Sequence, residues 1–229
     1  MGSRHILGLA PLVVFFALVQ SPSSLAGEDG PHPFAPELRP IAGTPEDVPL
    51  TEEEQQRLYS GKIVIKRFDT PRAGSGIVFR EVNAPPAAVW KIILSFEMYP
   101  KWSDNISQCD VVRRQGRIWY VEMLTRFLWV TSKLNFIHRI QRPMGYVTWT
   151  LDRSKKSDIR DLVGYWRVSE SSQGPNFTRL EYGSQVITHN VPDFVVDFLA
   201  RDSLIEGTEW VKEQAELAYK RDQENEHRR

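Results

Sequence analysis

Two adjacent prolines, Pro85 and Pro86, constrain this chain more than any other pair of residues. Neither can donate a ladder hydrogen bond, so the apolar run Ile77–Val82 has to stop as a strand before them. A proline in the first turn of a helix costs little, because its missing N–H would have no intrahelical partner. The same pair therefore opens a helix. Val89, Trp90, Ile93, Leu94 and Phe96 follow at helical spacing and give that helix an apolar face. A second short turn with aromatic ends is closed by Pro100, with Trp102 just beyond. From Val82 to Asn105 the sequence thus predicts a strand, a corner and two short helices.

Further strands are expected on both sides of this frame. Ile63–Phe68 is a β-branched run ahead of Ile77–Val82. Six more follow at Cys109–Arg114, Ile118–Phe127, Trp129–Ile140, Tyr146–Asp152, Gly164–Glu170 and Phe177–His189. Short turns and period-two alternation predict an antiparallel sheet. Pro192 then starts the longest helix, Asp193 to about Lys220. Its expected apolar stripe is Phe194, Phe198, Ile205, Thr208, Val211 and Ala215. Thr51 and Glu54 form a capping-box pattern that opens a short helix over 51–59.

The run Ala84-Pro-Pro-x-x-Val-Trp90 followed by Phe96-x-x-Tyr99-Pro100-x-Trp102 resembles the opening of START-like (SRPBCC) domains. These include the coenzyme Q-binding and polyketide cyclase/dehydrase branches. Gly164-x-Trp166, the Thr178–Tyr182 strand and the long C-terminal helix extend the resemblance over roughly residues 60 to 220. It implies an α+β, helix-grip fold, in which a curved antiparallel sheet wraps around the terminal helix and leaves a gap.

The ends read differently from the middle. Residues 1–26 have a basic start, an apolar run Ile6–Val19 and small residues Ser24-Leu25-Ala26, the three parts of a secretory signal peptide. An uncleaved anchor is the competing reading. The apolar run is shorter than the ~20 residues that span a bilayer. Residues 27–50, rich in Pro, Gly and acidic side chains, are expected to be a flexible linker, 51–220 the START-like domain and 221–229 a charged tail. One cysteine, Cys109, cannot form an intramolecular disulfide. Export without disulfides points to a secreted or periplasmic bacterial protein.

Charge excludes one class of partner. Lys+Arg and Asp+Glu are 29 each, so no general field draws the chain to nucleic acid. No metal-ligand spacing, nucleophile elbow, phosphate loop or dinucleotide fingerprint is present, and no metal or cofactor is expected.

Strand parity selects the side chains that face the gap. They are Trp119, Val121, Met123 and Phe127; then Val130, Ser132, Leu134, Phe136 and His138; then Val147, Trp149 and Leu151; then Trp166 and Val168; then Leu180, Tyr182, Ser184 and Val186. Trp90 and Phe198 are expected to reach the same space from the helices. A filled core is the plain reading of such a set. Large flat side chains on a curved wall pack imperfectly, however, and an apolar pocket with few polar groups suits hydrophobic ligands. The candidate ligand contacts are Trp90, Trp119, Met123, Ser132, Phe136, His138, Trp149, Trp166, Tyr182 and Phe198.

The expected function is binding of a hydrophobic small molecule (a lipid, quinone or polyketide-like ring system) as a non-catalytic carrier or sensor. Transient membrane contact is compatible with such a role, and nothing in the sequence sets the oligomeric state. The alternative is a cyclase/aromatase-type enzyme in the same cavity, with His138, Tyr182 and Ser132 guiding proton transfer. A third reading is an interaction domain whose cavity is closed.

Overall fold

The computed structural model describes residues 45–67, 74–127, 130–157, 159–187 and 203–228. The expected signal peptide, most of the expected linker and residues 188–202, which include Phe194 and Phe198, lie outside this set.

Helix α1 (Glu52–Tyr59) opens on the predicted capping box. The Thr51 hydroxyl accepts from the Glu54 N–H at 3.2 Å, and the Glu54 carboxylate accepts from the Thr51 N–H at 2.8 Å. β1 (Val64–Arg67) and β2 (Gly74–Val82) form a first antiparallel pair. At the corner, Pro85 is the extended N-cap and Pro86 the first residue of α2 (Pro86–Ile93). A 3₁₀ turn, Phe96–Met98, leads into α3 (Tyr99–Trp102). Pro100 sits inside the first turn of α3 instead of closing it, which its missing N–H permits.

A meander follows: β3 (Ile106–Gln115), β4 (Ile118–Phe127), β5 (Val130–Gln141), β6 (Tyr146–Leu151), β7 (Asp161–Ser171) and β8 (Gly174–Ile187). Helix α4 (Ser203–Glu226) takes in most of the charged tail. The eight strands form one antiparallel sheet in the order β1-β2-β8-β7-β6-β5-β4-β3. Register shifts in β3 and at Glu170/Ser171 mark bulges, which add twist. The α+β helix-grip architecture is the one predicted.

The inward face is continuous across strands, because directly paired residues share a side. Val121 pairs with Phe136 and Phe136 with Leu151; His138 pairs with Trp119 on one side and Trp149 on the other. Val147 pairs with Trp166, and Trp166 with Tyr182. This face, α2 and α4 build the main core. Arg80 fastens α4 to β2, donating to Thr208 Oγ1 at 3.2 Å and pairing with Glu209 at 2.7 Å. The proline corner is tied down too: Thr178 Oγ1 donates to the Ala84 carbonyl at 2.7 Å, and the Asn83 N–H to Glu216 at 2.8 Å.

The outer face carries a second apolar cluster of Leu58, Val64, Ile77, Phe79, Val163, Tyr165 and Ile187. Val48 and Leu50, at the end of the expected linker, pack against it. Arg167 holds that segment by pairing with Asp47 at 2.6 Å and donating to the Pro45 carbonyl. Residues 45–50 therefore cover part of the core, where the low apolar content of residues 27–50 predicts a free spacer.

Candidate functional site

Helix α4 presents two stripes, and the division creates the site. Leu204, Thr208, Val211 and Ala215 recur at three- and four-residue spacing and are buried. Ser203, Glu206, Gly207 and Trp210 form the neighbouring stripe, which faces a cavity between helix and sheet. Gly207 sets how closely the helix approaches. A Cβ there would lie 2.8 Å from Tyr182 Cε1, so only glycine lets α4 lie against that ring. On the sheet side, Gly164 leaves room for Trp149, whose Nε1 would be 2.8 Å from an added Cβ.

The cavity encloses about 180 Å³. Seven rings in a closed circuit of contacts line it: Phe96, Tyr99, Trp210, Trp166, Tyr182, Trp149 and His138, returning to Phe96. Successive centroids are 5.3, 4.7, 6.4, 3.9, 5.7, 5.5 and 4.8 Å apart. Trp166 and Tyr182 are stacked at 18°, and Phe96 meets His138 nearly edge-on. Such contacts add about 0.5–1.5 kcal/mol each beyond area burial, so the wall is stiff. Met123, Leu134, Phe136, Leu162 and Val186 complete the apolar lining.

One edge of the cavity is polar. Glu206 accepts from Ser103 Oγ at 2.5 Å and from the Asn105 side-chain amide. The Asn105 carbonyl accepts from the Arg126 N–H at 2.7 Å, which brings exposed Arg126 and Thr125 to the same rim. Deeper in, His138 is buried, and burial pushes its pKa down to about 3, so its imidazole is neutral. Its Nδ1 is sealed without a hydrogen-bond partner among the described residues. Burial, assisted by the Glu206 charge, pushes the Tyr182 phenol up, and it stays protonated. Burial likewise raises the Tyr99 phenol well above its usual value; it donates to the Ile93 carbonyl at 2.6 Å.

Six of the ten candidate contacts line this cavity: Met123, Phe136, His138, Trp149, Trp166 and Tyr182. Three do not. Trp90 is packed within the main core, where α2 meets α4 and the sheet. Trp119 shares the inward register, but its ring lies behind Phe96, 5.9 Å away, with the Arg114 guanidinium 4.2 Å from its face. Ser132 pairs with Thr125 at the rim, but it is not among the lining residues. Phe198, the tenth, is outside the described residues. Parity did not find Phe96, Tyr99 and Trp210, which come from helical elements. The Gly207/Trp210 spacing of three was the available signal for the last.

Cys109 is buried in the main core, and burial, with Asp110 and Glu97 nearby, raises its thiol far above the usual range. It packs as an apolar group.

A curved antiparallel sheet gripping a C-terminal helix, with an aromatic cavity between them, defines a START-type domain. The sequence profile of polyketide cyclase / dehydrase and lipid transport proteins matches residues 78–204, more than half of the chain, and the protein belongs to that family. Solved structures share the fold. A START superfamily protein from Mycobacterium smegmatis is 19% identical, with a TM-score of 0.54 over 68% of this chain and 98% of its own. A STAR-related lipid transfer protein from Xanthomonas axonopodis is 9% identical, with a TM-score of 0.56 over 67% and 93%. The Zhui aromatase/cyclase from Streptomyces sp. R1128 is 12% identical, with a TM-score of 0.52 over 63% and 94%. No curated protein matches the chain.

Proposed function

We propose that this domain binds a hydrophobic, ring-bearing small molecule in its internal cavity and acts as a non-catalytic carrier or sensor. The closed circuit of seven rings carries this reading. Flat apolar walls around a preformed space suit a guest with π-faces, and an apolar cavity of roughly 150 Å³ already holds a benzene-sized guest. Burying the guest's apolar area contributes roughly 25 cal/mol per Å² before ordering costs. Native mass spectrometry of the purified full chain, before and after addition of apolar ring compounds, tests the proposal. Retention of such a compound, displaced by a competitor of the same class, is expected. Absence of any bound compound, together with no brightening of a dye sensitive to apolar surroundings, would overturn it.

A cyclase/aromatase role in the same cavity draws support from His138 and Tyr182 lining it together. Against it, a general base works best with a pKa near the operating pH, and that of His138 is pushed down to about 3. Turnover of a poly-carbonyl chain by the wild type, lost in a His138→Ala variant that still binds the substrate, would favour the enzyme. The proposal places the mature protein outside the cytoplasm, as the first 26 residues suggest. N-terminal sequencing of the protein from a periplasmic fraction checks this.

A further inference from the structure

His138 is an anomaly in an otherwise consistent wall. Buried polar side chains are nearly always hydrogen-bonded, and an unsatisfied one carries a desolvation cost. This imidazole is 5% exposed, lines the cavity, and has its Nδ1 sealed with no partner among the described residues. Its neighbours are rings: Phe96 at 4.8 Å, Trp149 at 5.5 Å and Phe136 at 5.8 Å. An aromatic face attracts an N–H and repels a lone pair, so the enclosed Nδ1 is the nitrogen that keeps the proton. A neutral imidazole has one donor and one acceptor, which leaves Nε2, on the opposite edge of a ring that lines the cavity, as the acceptor.

We infer that the cavity's ligand carries a hydroxyl group, alcoholic or phenolic, and that His138 Nε2 accepts its hydrogen bond while the ligand's rings lie within the aromatic circuit. This rests on the reading of the cavity as a ligand site and makes it more specific. A purely hydrocarbon guest would leave Nε2 unpaired, and a carbonyl would meet it lone pair to lone pair. His138 is then a specificity-determining residue: it selects among apolar guests of one shape by a single O–H.

The test uses the full chain and two probes that differ by one hydroxyl, naphthalene and 2-naphthol. Dissociation constants are measured for wild type, His138→Phe and His138→Leu, each checked for native circular dichroism. The ratio of the two constants is read in each chain, not either affinity alone. On replacing the imidazole, the preference for 2-naphthol is expected to fall by at least about fivefold, because the buried hydroxyl loses its acceptor. The wild type supplies a second readout independent of folding in the variants. The ¹⁵N resonances of His138 should shift on adding 2-naphthol and stay in place with naphthalene.

An unchanged ratio, or imidazole resonances that respond to neither probe while both bind, would overturn the inference, leaving buried water or the rings as the only partners of His138. Failure of both probes to bind would instead overturn the cavity reading, and this assignment with it.

Discussion

Gly207 of α4 lies directly against the ring of Tyr182, which is itself stacked on Trp166 with centroids 3.9 Å apart. Helix, phenol and indole form three layers with no slack between them. The first layer can be a helix only because it has no side chain at that point. Gly in a helix interior costs about 1 kcal/mol relative to Ala, and the close approach offsets that cost.

Gly207→Val should therefore destabilise the protein by about 1–3 kcal/mol, as overpacking does. The Tyr182 ring cannot yield without leaving Trp166. Urea unfolding reads the loss in stability. Uptake of an apolar dye by the folded variant should fall, since the displaced rings move into the cavity.

The outer face gives a contrast between two charges that bind the same arginine. Arg167 is paired with exposed Asp47 at 2.6 Å and with buried Glu181 at 3.6 Å, where Tyr165 also donates to Glu181 at 3.4 Å. Burial raises the Glu181 pKa despite Arg167, so this carboxylate depends on its partner. Arg167→Met should cost about 3 kcal/mol, as breaking a buried pair does. Asp47→Asn should cost less than about 1 kcal/mol. Much of the first loss should return in the Arg167→Met/Glu181→Gln double variant, which no longer buries a lone charge. Denaturant titration of the four chains decides it.

His138 also sets a pH dependence. Its pKa is about 3 folded and 6.5 unfolded, so the unfolded chain takes up a proton that the folded one refuses. Stability from this group is complete above the unfolded value and is lost as pH falls toward about 3. From about pH 6.5 down to about pH 5, above the ordinary carboxylate range, wild type should lose up to about 1.4 kcal/mol per pH unit relative to His138→Phe. The difference between the two chains is the quantity to measure, because Glu181 contributes to both. Parallel curves would contradict the burial of a neutral imidazole.

Cys109 should be inert in the native protein. A thiol-reactive chromophore is expected to report no fast-reacting cysteine at pH 8 and one equivalent after unfolding, since the sulfur is buried and its thiolate is disfavoured.

Much of this arrangement is legible from residue order, for a physical reason. Side chains alternate strictly along a strand, so once Trp149 is placed inward, His138 and Trp166 follow from their neighbours' pairings and parity. Parity also puts Trp119 and Ser132 on the inner face, yet neither lines the cavity. Alternation selects a face and does not say which of its side chains border the open space: Thr125 lines the cavity while Ser132, directly opposite, does not. Helical contributions were harder still. The stripe Leu204, Thr208, Val211 and Ala215 is the more apolar one, so Trp210, one residue from it, reads as its flank. Its role depends on the rotation of α4, which Gly207 and Tyr182 fix only after the chain has folded. The strap Pro45–Leu50 was hidden for another reason: two apolar residues and an aspartate among prolines look like a spacer until Arg167 is opposite them.

The strand order has a kinetic consequence. Every neighbouring pair in the sheet is consecutive along the chain except β2 and β8, whose junction brings Val82 opposite Thr178. Local hairpins close cheaply, whereas that seam must first overcome the entropy of a loop of nearly a hundred residues. Tyr182 borders the seam, and Arg80 reaches α4 from its other side. The ligand chamber should thus be the last part of the molecule to mature during refolding, and a guest added early should find nothing to enter.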